Sequence, residues 1–358
     1  MSSDAALAKR LADTTMALCR IASVTGAERA IADDLEARVR ALPGVRCRRV
    51  GESIVADIGA GPVLALFGHS DTVKPAADQP LGIDGDRVFG CGASDMKGGL
   101  AVMLELLAEA SRGGLSERAL RCVFYDKEEG PAEESGILPL LEGDDAVVRD
   151  VELALCLEPT DCRVEAGCIG GLHARVTFKG KRAHSARPWQ GHNAIYEATG
   201  LLTTLRDRPR RAVEVEGLVF YEVMNATMAS TENSRNVIPD RFTLNLNFRF
   251  APGRTVEDAL SELRAVVPAE AELEVIDVAP SGAVRLSHPR LHAWIARQHL
   301  TVASKQAWTD VARLAARGLA AVNFGPGATA EAHQARESIS ISSLLAHHLA
   351  LRDLLAGP

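Results

Sequence analysis

The reading of the fold begins at Val63-Leu64-Ala65-Leu66-Phe67-Gly68-His69-Ser70-Asp71-Thr72-Val73. Five apolar residues in a row, closed by a glycine, suit a strand buried on both faces of a sheet. His69 and Asp71 follow at once, and two residues apart in extended chain they point the same way. Ligands in open α/β sheets sit at the carboxyl ends of strands, so this strand ends where a site is expected. An imidazole held by a carboxylate suits metal binding. A plain His–Asp hydrogen bond is the competing reading.

Outward from this strand the first half alternates between two patterns. Leu100 to Ala110 is apolar at helical spacing after Gly98-Gly99, while Leu120 to Tyr125 and Leu153 to Leu157 read as further strands. That βαβ rhythm predicts an α/β fold with a mostly parallel sheet covered by helices. The character changes after Gly167. His173 to Phe178 and Glu272 to Val278 read as strands, and Gly191 to Leu205 and Thr255 to Val266 as helices. Arg241 to Phe250 alternates cleanly, with Phe242, Leu244, Leu246, Phe248 and Phe250 on one face. A smaller βαββαβ-like α+β domain is therefore expected over 171–284. The chain then returns to the first domain with Leu291 to Val302, Val311 to Arg317 and Ala320 to Phe324. The length of 358 residues agrees with two domains.

Composition narrows the function. A hydrophobic content of 47% with 24% charged residues is that of an ordinary globular protein. The net charge of -7 and the lack of a Lys/Arg-rich block argue against nucleic acid or an anionic membrane as partner. No apolar run is long enough to span a bilayer. Met1 to Arg20 places Leu7, Leu11, Met16 and Leu18 as on an amphipathic helix and lacks the marks of a signal peptide, which points to the cytoplasm. The seven cysteines are odd in number and form no C-x-x-C, so they read as small buried hydrophobes and not as a disulfide framework or zinc knuckle.

Four further segments carry chemistry. Gly90 to Gly99 contains Asp95 just ahead of a helix, where it is either a ligand or a helix cap. Asp126-Lys127-Glu128-Glu129-Gly130 follows a strand; one Glu can bind metal while its neighbour stays free as a base, or the run is a solvated acidic turn. Glu158 ends the apolar strand before Pro159, and Gly325-Pro326-Gly327 precedes His333. Together with the first segment these supply two His and three carboxylates, enough for two divalent cations. Three negative charges against two such ions leave a net positive centre, suited to holding a hydroxide and an oxyanion.

In this order the segments resemble the M20 metallopeptidase family, over about Ile21 to Leu355. Within it, Gly180 to Arg187, Asn236 to Asp240, Lys305 to Asp310 and Asn323 to Gly327 are similar to the enzymes that act on N-succinyl-L,L-diaminopimelate. The resemblance implies a zinc-peptidase-like catalytic domain, 1–170 and 285–358, with an inserted ferredoxin-like lid and dimerisation domain, 171–284. It implies two Zn²⁺ per subunit, with Co²⁺ or Mn²⁺ as substitutes, and a homodimer. Asp95 would bridge the metals, His69 and Glu158 would complete one site, and Glu129 and His333 the other. Glu128 would be the general base and Asp71 would orient His69. His184 would stabilise the oxyanion in the partner subunit's site. Asn236, Arg249 and Thr309 would hold the substrate.

The sequence departs from the family at three places. Arg336 precedes Glu337 where Asn or Asp is usual, Cys168-Ile169 replaces an Arg pair, and Cys91 replaces an Arg. Recognition of the substrate carboxylate then falls to Arg187 or Arg249. The implied reaction is hydrolysis of N-succinyl-L,L-diaminopimelate. The alternatives are another N-acyl amino acid (acetylornithine, a general aminoacylase substrate, a small carboxypeptidase substrate) and a silent homologue serving as a binding module. The presence of His69, Asp95, Glu128, Glu129, Glu158 and His333 argues against the last.

Overall fold

The computed structural model describes residues 3–115, 119–143 and 146–357, and the chain divides into two compact units. The larger comprises Met1–Ala166, Arg285–Ala303 and Arg313–Pro358; the smaller comprises Gly167–Val284 and Ser304–Ala312. The sequence reading kept 304–312 with the larger unit. These residues are instead tied to the smaller one, where Ser304 Oγ donates to the Val219 carbonyl and Gln306 Nε2 to that of Tyr221.

The larger unit is built on an eight-stranded sheet in the order Arg46–Val50, Ser53–Ile58, Ala119–Tyr125, Val63–His69, Val151–Cys156, Ala321–Asn323, Val164–Ala166 and Val302–Ser304. Its four central strands, Ala119–Tyr125 to Ala321–Asn323, run parallel, and antiparallel pairs flank them. Every residue of Val63–His69 is buried, as a continuous apolar run in a covered parallel sheet requires. The helix Gly98–Ser111 packs on this strand and buries Leu100, Val102, Met103, Leu104, Leu106 and Leu107. The helix Ser3–Cys19 buries Leu7, Leu11, Met16 and Leu18. Among the described residues, no helix is long and apolar enough to cross a membrane.

The smaller unit has a five-stranded sheet in the order Arg211–Val215, Leu218–Ser230, Arg241–Phe250, Gly170–Lys179 and Glu272–Ala279, all pairs antiparallel. Phe242, Leu244, Leu246, Phe248 and Phe250 alternate into its core with Leu172, Val176, Leu201 and Leu263. Each such side chain contributes about 1.5–3 kcal/mol on burial. The helix Val256–Val266 starts at a capping box, in which Thr255 and Asp258 exchange side-chain and backbone hydrogen bonds.

Two expectations need correction here. The βαββαβ pattern gains a fifth strand, because Arg211–Val215 folds back on Leu218–Ser230 as an edge hairpin. The single helix expected over Gly191 to Leu205 is two short ones, Ala194–Glu197 and Thr199–Asp207. His192 is held out of helix by exchanging backbone hydrogen bonds with Lys181, and Asn193 then caps the first turn through the Ile195 N–H.

Candidate metal centre

The four central strands of the larger unit deliver the candidate residues to one edge. The register sets His69 beside Tyr125 and Phe67 beside Cys156, so the ends of three strands lie next to one another. Past Tyr125 the chain turns at Lys127 with φ +57° and reaches Glu128 and Glu129. Past Cys156 it reaches Glu158. The strand Ala321–Asn323 leads into Gly325, where a Cβ would lie 2.2 Å from the Glu158 carbonyl oxygen. Only glycine lets the segment pass so close to Glu158 on its way to His333.

The side chains converge on Asp95. Its Oδ1 lies 3.2 Å from His69 Nε2, and its Oδ2 lies 3.5 Å from His333 Nε2. His333 Nε2 also stands 2.7 Å from Glu129 Oε1. Ligand atoms of His69, Asp95 and Glu129 all lie within 4.8 Å of one another. His69 Nδ1 is 3.0 Å from the Asp71 carbonyl oxygen and 3.5 Å from Asp71 Oδ1. With its Nδ1 hydrogen directed to Asp71, a neutral His69 turns the Nε2 lone pair on the Asp95 carboxylate. That contact needs a positive centre between the two atoms, either a proton on Nε2 or a divalent cation in its place. The mixed nitrogen and oxygen donor set fits a divalent cation. Asp95 does not act as the cap considered from sequence: the helix begins at Gly98 without a side-chain cap, and the carboxylate faces the two His instead.

The imidazoles report the same demand for positive charge. Burial lowers the basicity of His69, yet its hydrogen bonds to Asp71 and Asp95 and the charges of Glu128 and Glu158 hold it well above the ordinary range. The influence of Glu128 and Glu158 on His69 puts both carboxylates in the same field. His333 is raised to about 9, first by its hydrogen bond to Glu129 against the opposing effect of burial, then by the charges of Glu129, Asp95 and Glu337.

Two acids hold the arrangement from behind. Asp71 accepts the backbone N–H of Glu128 at 2.9 Å, that of Glu129 at 3.0 Å, and the Thr25 hydroxyl at 2.9 Å. It therefore fixes the acidic turn as well as facing His69. Glu337, noted in the sequence only for its neighbour Arg336, accepts backbone N–H groups from Gly92 at 2.9 Å, Ser94 at 2.8 Å and Asp95 at 2.9 Å. It is almost wholly buried. Sequence reasoning assigned no role to Glu337 or Thr25; an acid directly before the buried strand Ser338–Ser340 was the one available signal. Hydrogen bonds to a charged group contribute about 1.5–3 kcal/mol each, and the three donors would be left buried without their partner. Glu337→Ala should destabilise the metal-free protein by about 2–5 kcal/mol in urea unfolding, with Glu337→Gln costing less; equal stability of all three proteins would remove Glu337 from this role.

The remaining expected residues lie in the smaller unit. Ala183–His184 pairs with Val237–Ile238, and the Ser185 N–H donates to the Asn236 carbonyl. His184, Arg187 and Asn236 are thus neighbours, all three exposed. Arg249 is half-buried on Arg241–Phe250, and its Nε donates to Asn247 Oδ1 at 3.1 Å. Thr309 is buried, with its carbonyl near Cys168 Sγ. Among the described residues no hydrogen bond joins Arg249 or Thr309 to the His184 group.

Comparison with known proteins agrees with this geometry. The profile of peptidase family M20/M25/M40 matches residues 65–356. A Mycobacterium tuberculosis protein provisionally named succinyl-diaminopimelate desuccinylase is 36% identical over 350 residues, 96% of this chain and 98% of its own. The succinyl-diaminopimelate desuccinylase of Corynebacterium glutamicum is 33% identical, with 92% of each chain covered. Among solved structures, a Bacillus subtilis protein described as a dinuclear metal-binding peptidase of the M20 family superposes with a TM-score of 0.72 at 16% identity, over 98% of each chain.

Proposed function

This chain belongs to peptidase family M20/M25/M40, and on that premise we propose that it is a metal-dependent amidohydrolase converting N-succinyl-L,L-2,6-diaminopimelate and water to succinate and L,L-diaminopimelate. The observation that carries the metal chemistry is Asp95, with one oxygen toward His69 and the other toward His333. The substrate rests on the names of the two relatives that match nearly the whole chain. His69, Asp95 and Glu158 would hold one cation, zinc in the first instance, and Glu129, Asp95 and His333 a second. Two divalent ions bound there polarise an amide carbonyl and make water a strong nucleophile near neutral pH.

The protein's own groups do the rest. Glu128 takes a proton from the attacking water and delivers it to the leaving amine, which needs a carboxylate that is fixed in place yet not consumed as a ligand. Asp71 supplies that fixing through the Glu128 N–H. Arg249 receives a substrate carboxylate. Its guanidinium is half-buried, and among the described residues no carboxylate lies within ion-pair distance of it.

The test is a comparison of kcat/KM for N-succinyl-L,L-diaminopimelate, N-acetyl-L-ornithine, an N-acyl amino acid and a dipeptide, each with zinc-loaded protein. The succinyl substrate should lead by at least about 10²-fold, since a site built for a second carboxylate rejects analogues that leave it unpaired. A lead for any other substrate would displace the desuccinylase reading and leave the hydrolase reading standing.

Metal uptake should also release protons. His333, raised to about 9, is protonated at pH 7 in the metal-free protein and must lose that proton to become a ligand. Apparent metal affinity should therefore rise by at least about tenfold per pH unit from pH 6 and level off above pH 9. Calorimetry in buffers of different ionisation enthalpy reads the proton count directly; a count of zero at pH 7 would contradict the assignment.

A further inference from the structure

We propose that His173 is a positioning residue for substrate binding, fixing Asn247 so that Asn247 fixes the guanidinium of Arg249. The proposal rests on the reading of Arg249 as the carboxylate receptor.

The five-stranded sheet has one face packed on helices and one polar face. Asn245, Asn247 and Arg249 alternate onto the polar face of Arg241–Phe250, opposite the core residues Leu244, Leu246 and Phe248. The antiparallel register pairs Arg249 with Gly171, Asn247 with His173 and Asn245 with Arg175, so Gly171 and His173 share that face.

A directed chain of hydrogen bonds follows. The Arg249 Nε–H donates to Asn247 Oδ1 at 3.1 Å, which turns the Asn247 Nδ2 group away from the guanidinium. Nδ2 lies 2.8 Å from His173 Nε2. Because Nδ2 can only donate, Nε2 must accept, and His173 carries its hydrogen on Nδ1. On the Nδ1 side lies Asn245, whose Nδ2 donates to Thr227 Oγ1 at 2.7 Å. Nδ1–H and that amide group are both donors, so His173 is held through its Nε2 bond to Asn247 and not through Asn245.

The chain orients a cation without cancelling its charge. A carboxylate at position 247 would bind the guanidinium more strongly and compete with an incoming anion. An amide leaves the charge in place and costs the guanidinium only its Nε–H, so the Nη groups stay available for planar recognition of a carboxylate. Asp277, opposite His173 in the register on the other side, raises the basicity of Arg249 slightly against burial but makes no ion pair with it. Gly171 keeps the remaining space open. A Cβ there would sit 2.7 Å from Arg249 Nη1, so even alanine displaces the guanidinium while the glycine backbone stays in its ordinary region.

The test uses the full chain, metal-loaded, as wild type and as His173→Leu, His173→Gln, Gly171→Ala and Arg249→Met. Two readouts are combined. In ¹H–¹⁵N spectra of arginine side chains, the Nε–Hε signal that disappears in Arg249→Met should be protected in wild type. It should shift or exchange rapidly in His173→Leu and return in His173→Gln, whose amide oxygen can accept from Asn247. In steady-state kinetics with N-succinyl-L,L-diaminopimelate, His173→Leu and Gly171→Ala should raise KM roughly tenfold, with kcat within about twofold and recovery in His173→Gln. An unmoved Nε–Hε signal in His173→Leu overturns the proposal whatever the kinetics show. So does an unchanged KM in His173→Leu when Arg249→Met raises it. An unchanged KM in Arg249→Met instead defeats the receptor reading beneath the proposal, while the spectra still decide whether His173 positions the arginine.

Discussion

Replacing Glu128 by Gln should lower kcat by about 10²–10⁴ and leave the metal content unchanged. The prediction follows from the division of labour in the turn 126–130. Glu129 faces His333 at 2.7 Å and is committed to the ligand cluster. Glu128 shares the field of His69 and has its backbone N–H hydrogen-bonded to Asp71 at 2.9 Å, which ties the main chain under its carboxylate. An amide in its place keeps shape and hydrogen-bonding size but cannot take a proton. KM should move little, because the contribution is made in the transition state. Kinetics together with metal analysis of the same sample check the result. A fall in bound metal equal to the fall in rate would make Glu128 a ligand and leave the base unassigned.

Asp95→Ala should act on the metal content as well as on the rate. Asp95 faces both imidazoles, one through each carboxylate oxygen, so its loss removes a ligand from each proposed site at once. Bound metal should fall from two ions per chain to one or fewer, and turnover by about 10³-fold or more. His69→Ala and His333→Ala should each reduce the metal count by about one. The contrast between the shared and unshared ligands is the informative part: equal losses from all three variants would argue against a bridging role. Glu337→Ala is the useful companion, because it disturbs the backbone at Gly92, Ser94 and Asp95 and leaves every ligand in place. It should weaken metal affinity by about 10–100-fold, the usual effect of losing an outer hydrogen-bond partner.

His69, Glu128, Glu129 and Glu158 were legible in the sequence because each follows a short apolar strand, whereas the roles of Asp95 and His333 came from the family resemblance. Val63–His69, Ala119–Tyr125 and Val151–Cys156 declare themselves by continuous hydrophobicity, and a parallel sheet then places their ends side by side. Arg241–Phe250 was equally plain, since a half-covered strand must alternate. Leu218–Ser230 was not, because alternation stops at Asn225 and the rest of the strand is exposed. The supporting acids were hidden for a different reason. Glu337 acts on Asp95 across 242 residues, and the hydrogen bond from Thr25 to Asp71 spans 46, so neither has a local signature. The same holds for the alternation that sets His173, Asn247 and Gly171 around Arg249: each face was readable, but the partner opposite each residue is fixed only by the strand register.

The central claim is a two-metal centre shared by Asp95. Anomalous diffraction at the zinc edge from crystals of zinc-loaded protein tests it most directly. Two peaks should appear about 3.5–4 Å apart, with Asp95 between them, His69 and Glu158 at one and Glu129 and His333 at the other. A single peak, or zinc bound away from Asp95, would contradict the account.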